Sequence, residues 1–424
     1  MLTTVSTSRG PALLIMASAF LAAAANGISL VVLPWLVLER TGSAASASVV
    51  AAAATLPLLV ATLAAGTAVD FLGRRRVAML SDAMSGLSVA AIPVIAITAG
   101  EDALTTVVLA GLAALGAFFD PAGMTARVSM LPEAGERAGW SLDHTNSVYE
   151  AGFNLAYITG PGIGGLLIAT IGAINTMWVT AAVFGCSVAA MAVLRLAGAE
   201  QPEERPDGVM SGVLEGLRFV WRNRVLRTLG LIDLAVTGLY LPMESVLFPK
   251  YFSDRNEPAH LGWVLMALSI GGLIGALSWT WLSRRATKRG TVLTATLTFG
   301  AASLAIGFLP PLPVILVLAA VVGLVYGPIG PIYKTVMQTH TPTELRGRVV
   351  GVMTSMAYAA GPVGFMLAGP LVDRFGLTAA FLALALPILV LGLVCPWIPA
   401  LRQLDGQLDG QLDGQPDSAP ADLG

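Results

Sequence analysis

The sequence predicts an all-α membrane protein with twelve transmembrane helices in two parallel six-helix halves. Three observations lead there. First, the 424 residues are 55% hydrophobic and only 12% charged, with a mean hydropathy of +0.77. A soluble chain of this length cannot bury so much apolar surface. Second, the apolar residues fall into twelve stretches of about 20 residues, the length that crosses a bilayer core. Third, one long polar interruption at 197–225 divides these stretches six and six. In hydrocarbon each backbone polar group must be satisfied inside the segment, which makes the spans helices.

In order, the expected spans are 11–38, 44–69, 77–99, 103–125, 143–170, 174–195, 226–252, 260–283, 290–309, 312–336, 349–372 and 378–398. Thr41-Gly42-Ser43 separates the first two, and short joints at 100–102, Pro310-Pro311 and 373–377 part others that hydropathy alone would merge. Arg9 and the apolar run after it resemble a signal peptide, but hydrophobicity continues past Asn26 to Leu38, as in an uncleaved first helix. Basic residues resist translocation. With the N-terminus inside, only Arg40, Lys250, Arg255 and Arg374 of the 24 basic residues fall outside. The expectation is a multi-pass protein of the cell inner (plasma) membrane with both termini cytoplasmic.

Four regions follow: 1–196 as the first half, 197–225 as a cytoplasmic linker, 226–401 as the second half and 402–424 as a disordered tail. The linker opens with Glu200, Pro202, Glu203 and Glu204, then carries Leu214, Leu217, Val220 and Trp221 among Glu215, Arg218 and Arg222. That second part reads as an amphipathic interfacial helix. Three copies of Leu-Asp-Gly-Gln at 404–415 make a polar, low-complexity tail. Traces of a repeat link the halves. Leu33-Pro34 matches Phe248-Pro249, and the Ala156-Tyr157 to Gly160-Pro161 stretch matches Ala357-Tyr358 to Gly361-Pro362. Transporters that rock around a midplane site share that plan.

Composition also excludes function classes. Cys186 and Cys395 stand in separate spans, and the three histidines (His144, His260, His340) lie at loops or helix ends. No metal site or cofactor is expected, and no membrane-embedded enzyme. There is no Gly-x-x-x-x-Gly-Lys-Ser/Thr loop for a primary pump. No basic, aromatic-interleaved surface suggests nucleic acid, and no output domain suggests a receptor or sensor, the reading from another class. The expected partners are the lipid bilayer, protons and a small-molecule drug or metabolite, handled by a monomer.

Ionisable residues inside spans are functional candidates by default. Asp233, Thr237, Tyr240 and Glu244 share one face of the seventh span, and Asn146, Glu150, Asn154 and Tyr157 one face of the fifth. Asn26 in the first span and Tyr326 and Tyr333 in the tenth complete the polar lining. Asp233, Glu150, Glu244 and Asp120 are the proton-coupling candidates. Asn26, Asn154, Tyr157, Thr237, Tyr240, Tyr326 and Tyr333 are the substrate-binding ones, suited to aromatic amphiphiles. For Asp233 and Glu150 a structural hydrogen bond is the competing role. Glu244 could be merely interfacial, and Asp120 could join an Asp70–Arg74 network.

Two motifs carry a family resemblance. Gly66-Thr-Ala-Val-Asp70-Phe-Leu-Gly73-Arg74-Arg75-Arg76 resembles the signature loop of the major facilitator superfamily, matching at Gly66, Asp70, Gly73, Arg74 and Arg75 and departing at Ala68 and Phe71. A positive-inside anchor would explain the arginines but leave Asp70 and the glycines without a role. A gating latch uses all of them, with Asp70 accepting from a basic residue or a helix N-terminus. The Gly-x-x-x-Asp-x-x-Gly pattern recurs at Gly369, Asp373 and Gly376, where a tight turn is expected. In the fifth span Gly160-Pro161-Gly162-Ile163-Gly164-Gly165 resembles the antiporter helix-kink motif of the superfamily, while Ser147 and Ala156 replace its earlier glycines. The superfamily's mid-span arginine has no counterpart in 104–119.

Leu217 to Arg227 and Leu345 to Val352 look like the macrolide and enterobactin exporters. Pro121 to Arg127, Leu241 to Phe252 and Val322 to Pro328 are similar to Tap-type actinobacterial drug pumps. The resemblance implies the major facilitator fold and proton-coupled multidrug efflux, of the tetracycline and aminoglycoside class. Export of an endogenous metabolite or siderophore is the alternative within transport.

Overall fold

The computed structural model describes residues 8–196, 209–342 and 345–404. The described residues form helices and turns, with twelve helices long and apolar enough to cross a membrane. In order these are α1 (Gly10–Thr41), α2 (Ala44–Leu72), α3 (Arg74–Ala99), α4 (Thr106–Ala138), α5 (Leu142–Ile171) and α6 (Ala173–Val193), followed by the amphipathic α7 (Val209–Arg222). The second half holds α8 (Arg224–Pro242), α9 (Phe248–Ser253), α10 (Pro258–Leu282), α11 (Lys288–Gly307), α12 (Leu312–Tyr326), α13 (Ile329–Thr339), α14 (Arg346–Phe375) and α15 (Leu377–Val394). The tail from 405 and the linker from 197 to 208 lie outside the described residues.

Joints form where the sequence supplies caps. Ser43, Thr105, Ser141, Asn223 and Thr287 each accept a backbone N–H at the start of α2, α4, α5, α8 and α11, satisfying donors that a helix cannot pair itself. Two spans are broken. A π turn at Met243–Leu247 follows Pro242 between α8 and α9, and Gly327-Pro328 parts α12 from α13.

Two expectations change. Hydropathy ends the fourth span at 125, but α4 runs to Ala138 through Pro121 and Pro132, with Ser81 and Ser85 of α3 donating to its Phe119 and Gly116 carbonyls. Arg127 therefore belongs inside the bundle. Glu244 lies in the π turn, off the regular helix that its spacing from Asp233 assumes.

The bundle has a linker end, which carries Gly73, Gly139 and the linker, and an opposite, far end. Across the halves α2 packs on α14 and α5 on α10. These contacts are tightest toward the far end. A Cβ on Gly165 would stand 2.5 Å from the Pro258 carbonyl oxygen, and one on Gly369 2.5 Å from Ala45 Cα. On the linker-end half of α5, Glu150, Asn154 and Tyr157 are exposed. Helix α7 is tied to the start of α14 by an ion pair between Glu215 and Arg348.

Candidate functional site

In the second half the polar face of α8 meets the broken tenth span. Asp233 is half-buried, and its Oδ1 accepts a hydrogen bond of 2.7 Å from Tyr326 Oη. One turn earlier the Leu229 carbonyl accepts from Tyr333 Oη at 3.1 Å. Tyr240 meets Phe299 edge-on with centroids 4.9 Å apart, and Phe299 lies 5.2 Å from Tyr326. Thr237, half-buried, lies one turn beyond Asp233 on the same face of α8. Asp233 thus accepts from the neutral phenol of Tyr326, while Tyr333 bonds the α8 backbone one turn away and Tyr240 reaches Tyr326 through Phe299. The break at Gly327-Pro328 lets α12 and α13 each present a tyrosine to α8.

In the first half Asn26 Nδ2 donates to Asp120 Oδ1 at 2.8 Å, joining α1 to α4. The possible link of Asp120 to an Asp70–Arg74 network turns on Asp70, whose side chain lies outside the described residues. The longer α4 carries Asp120 about five turns from its end, so its neighbour is the α1 amide. On α5, Asn154 donates to its own helix at the Glu150 carbonyl (2.8 Å), and Tyr157 stacks on Phe153 with centroids 6.3 Å apart. That stripe lies on an exposed face of α5.

One cluster went unpredicted. Arg127 and Asp82 form an ion pair with 4% and 1% of their surfaces exposed. Arg127 Nε donates to Ser18 Oγ at 3.0 Å. Ser187 Oγ lies 2.6 Å from Asp82 Oδ2 and 2.9 Å from the Ser18 carbonyl. Four helices, α1, α3, α4 and α6, are knotted by these side chains. A buried charge pair needs such extra hydrogen bonds to survive desolvation. The lone aspartate in the third apolar span, and Arg127 seven residues after Asp120 on the same helical face, were the available signals.

The motifs divide between packing and turns. Gly73 takes φ +83° between α2 and α3. Arg75 Nε donates to the Met191 carbonyl at 3.0 Å, closing the end of α6 within the same half. Arg74 makes contacts of its own. The side chain of Asp70 and the surroundings of Gly66 lie outside the described residues. Gly160, Pro161, Gly164 and Gly165 sit in an unbroken α5 and form a seam. A Cβ on Gly160 would stand 2.9 Å from Gly27 Cα, one on Gly164 3.2 Å from Ile28 Cα, and Gly165 abuts α10. Among the described residues no group of three or more His, Cys, Asp or Glu side chains could hold a metal.

Comparison with known proteins agrees with this architecture. The sequence pattern of the Major Facilitator Superfamily matches residues 15–365 and, overlapping, 246–411. The chain is 65% identical over 402 residues to the multidrug efflux pump Tap of Mycolicibacterium fortuitum, covering 94% of this chain and 98% of that one. It is 63% identical over 402 residues to the protein of the same name from Mycobacterium tuberculosis, covering 94% and 96%. Among solved structures, the nucleoside transporter NupG superposes with a TM-score of 0.74 at 12% identity, over 91% of this chain and 98% of that one. The fold, the twelve spans and the extent of these matches together make the chain a multi-pass membrane transporter, not an enzyme, that belongs to the Major Facilitator Superfamily.

Proposed function

We propose that this protein is a proton-coupled secondary transporter that exports drugs or similar amphiphilic small molecules from the cytoplasm. The observation that carries the reading is the Asp233–Tyr326 pair, a carboxylate in the membrane interior held by a neutral donor beside an aromatic cluster. A cationic amphiphile can place its charge on Asp233 and its ring against Tyr240, Phe299 and Tyr326. A proton can take the same place, and that competition is the minimum requirement for exchange. The names of the relatives point to multidrug efflux, and the resemblance of the sequence narrows it to tetracyclines and aminoglycosides.

The remaining roles follow in the same reading. Glu150, Glu244 and Asp120 are reserve proton carriers. Asn26, Asn154, Tyr157, Thr237 and Tyr333 line the path. Gly66, Asp70, Gly73, Arg74 and Arg75 gate the cytoplasmic side, and the Gly160–Gly165 seam sets how closely α5 packs. The halves 1–196 and 226–401 move as bodies around the site, joined by 197–225, in a monomer of the inner membrane with both termini cytoplasmic. One proton moving down 100 mV supplies about 2.3 kcal/mol, worth roughly a fiftyfold drug gradient.

The test is drug uptake into inverted vesicles or liposomes containing the purified protein. Each addition of drug to one side should move protons across the membrane. Uptake that survives complete collapse of the pH and voltage gradients, or that needs ATP, overturns the proposal. Asp70→Asn should slow transport while leaving equilibrium drug binding within about twofold, since gating affects the rate of exchange between states and not the affinity of a site.

A further inference from the structure

The Gly-x-x-x-Asp-x-x-Gly spacing occurs at 66–73 and at 369–376. The two copies end α2 and α14, the helices that pack against each other across the halves. Helix α2 runs from the far end toward the linker end, and α14 runs back. Each copy therefore lies at the C-terminus of one helix, beside the N-terminus of the other.

In the second copy the work of all three residues is visible. Gly369 permits close approach, since a Cβ there would stand 2.5 Å from Ala45 Cα and 2.9 Å from the Ala44 carbonyl oxygen. Gly376 turns the chain into α15 with φ +80°. Asp373 reaches across to the other half. It accepts hydrogen bonds from Ser43 Oγ at 3.0 Å, the Ala44 amide at 3.1 Å and the Ala45 amide at 3.2 Å. Ser43 takes the Ser46 amide at 3.3 Å, and the first intrahelical bond runs from the Ala47 amide to the Ser43 carbonyl. The first three amides of α2 are thus all satisfied, two of them by the opposite half of the molecule. A negative charge at that end also suits the helix dipole.

By contrast, Thr105, Ser141, Asn223 and Thr287 cap α4, α5, α8 and α11 from the adjoining residue. Those caps travel with their helices. Helix α2 has such a cap in Ser43, but the amides of Ala44 and Ala45 are held by Asp373, which belongs to α14 and cannot travel with it.

We propose that Asp373 is a latch between the halves: by capping α2 from α14 it holds the far end of the transporter shut. Opening that end strips two amides and a hydroxyl of their acceptor and returns them to water. The strength of these three bonds therefore sets the balance between far-end-closed and far-end-open states.

The test is a distance measurement on the full chain in lipid nanodiscs. Spin labels go on Val107→Cys and Phe308→Cys, exposed positions at the far ends of α4 and α11, in a Cys186→Ser, Cys395→Ala background. Asp373→Ala should raise the ratio of far-end-open to far-end-closed protein about fivefold, the equivalent of one lost helix cap. Ser43→Ala should shift it the same way by less, and the double variant should add little to Asp373→Ala. Arg374→Ala, beside the latch, should leave the distribution unchanged. An unchanged distribution in folded Asp373→Ala overturns the latch, as does a shift no larger than that of Arg374→Ala. If Asp373→Ala fails to fold, Asp373→Asn and Ser43→Ala must both shift the distribution toward the open state, and no shift in either overturns it.

Discussion

Two carboxylates inside the bundle are held in opposite ways. Asp82 is almost fully buried, paired with Arg127 and hydrogen-bonded by Ser187, in a knot that ties α1, α3, α4 and α6. Asp233 is half-buried, and its hydrogen bond comes from the neutral phenol of Tyr326. The charge of Asp82 is already balanced, and exchanging its partner would leave an arginine stranded in a dry interior. The charge of Asp233 is shielded but not balanced. In the proposed exchange the second is the carboxylate that takes up a proton or a drug cation, because giving it back dismantles no helix bundle. Burial alone therefore does not identify a working carboxylate; the charge of its partner does.

The largest effect that could break this comparison is on stability. Arg127→Ala should destabilise the protein by about 3–5 kcal/mol, because it leaves Asp82 buried without a counter-charge. The melting temperature of purified protein measures it. Arg127→Met combined with Asp82→Leu should recover most of the loss, since removing both charges also removes the desolvation cost. If the single variant melts like the parent, the knot is not a structural pair and Asp82 becomes a transport candidate.

Next in size is the effect on function. Asp233→Asn should cut drug-induced proton movement at least about tenfold, equivalent to about 1.36 kcal/mol or more. Its melting temperature should stay close to that of the parent, because an amide can still accept from Tyr326. Full coupled transport in this variant would erase the difference between the two carboxylates. Tyr326→Phe sharpens the same point. It keeps the ring against Phe299 but deletes the donor to Asp233, so transport should fall only a few-fold, in proportion to one hydrogen bond of about 1 kcal/mol. A loss as large as that of Asp233→Asn would make the phenol, not the carboxylate, the essential group.

The two sites also differ in how far the sequence could reveal them. Asp233, Thr237 and Tyr240 were legible because they share a stripe on one apolar helix, and a polar stripe in a membrane must face something other than lipid. That Tyr326 and Tyr333 meet this stripe depends on the break at Gly327-Pro328, and hydropathy sees only one long span there. The Asp82–Arg127 knot was hidden for a different reason. Hydropathy ends the fourth span at 125, where polar residues begin, and so puts Arg127 in a loop. A helix that carries a buried arginine on one side violates the average on which hydropathy relies. Twelve spans survive such an error because each rests on about 20 residues; a site residue rests on one.

The smallest expected effect concerns the first-half carboxylates, where the comparison could shift without failing. Asp120 resembles Asp233, since its donor is also neutral, the amide of Asn26 at 2.8 Å. Asp120→Asn, however, keeps an oxygen to accept from Asn26. Glu150 is exposed on a face of α5 whose Asn154 bonds its own backbone. Asp120→Asn should therefore lower coupled transport by about twofold to threefold, less than one hydrogen bond to a charged group, and Glu150→Gln by less than that. Proton movement measured in the same liposomes as Asp233→Asn ranks the three directly. If Asp120→Asn proves the more damaging substitution, the rule about partner charge stands, but the working carboxylate moves to the α1–α4 contact. If Glu150→Gln does, the rule itself fails, because an exposed carboxylate would then do what the balanced and the half-shielded ones do not.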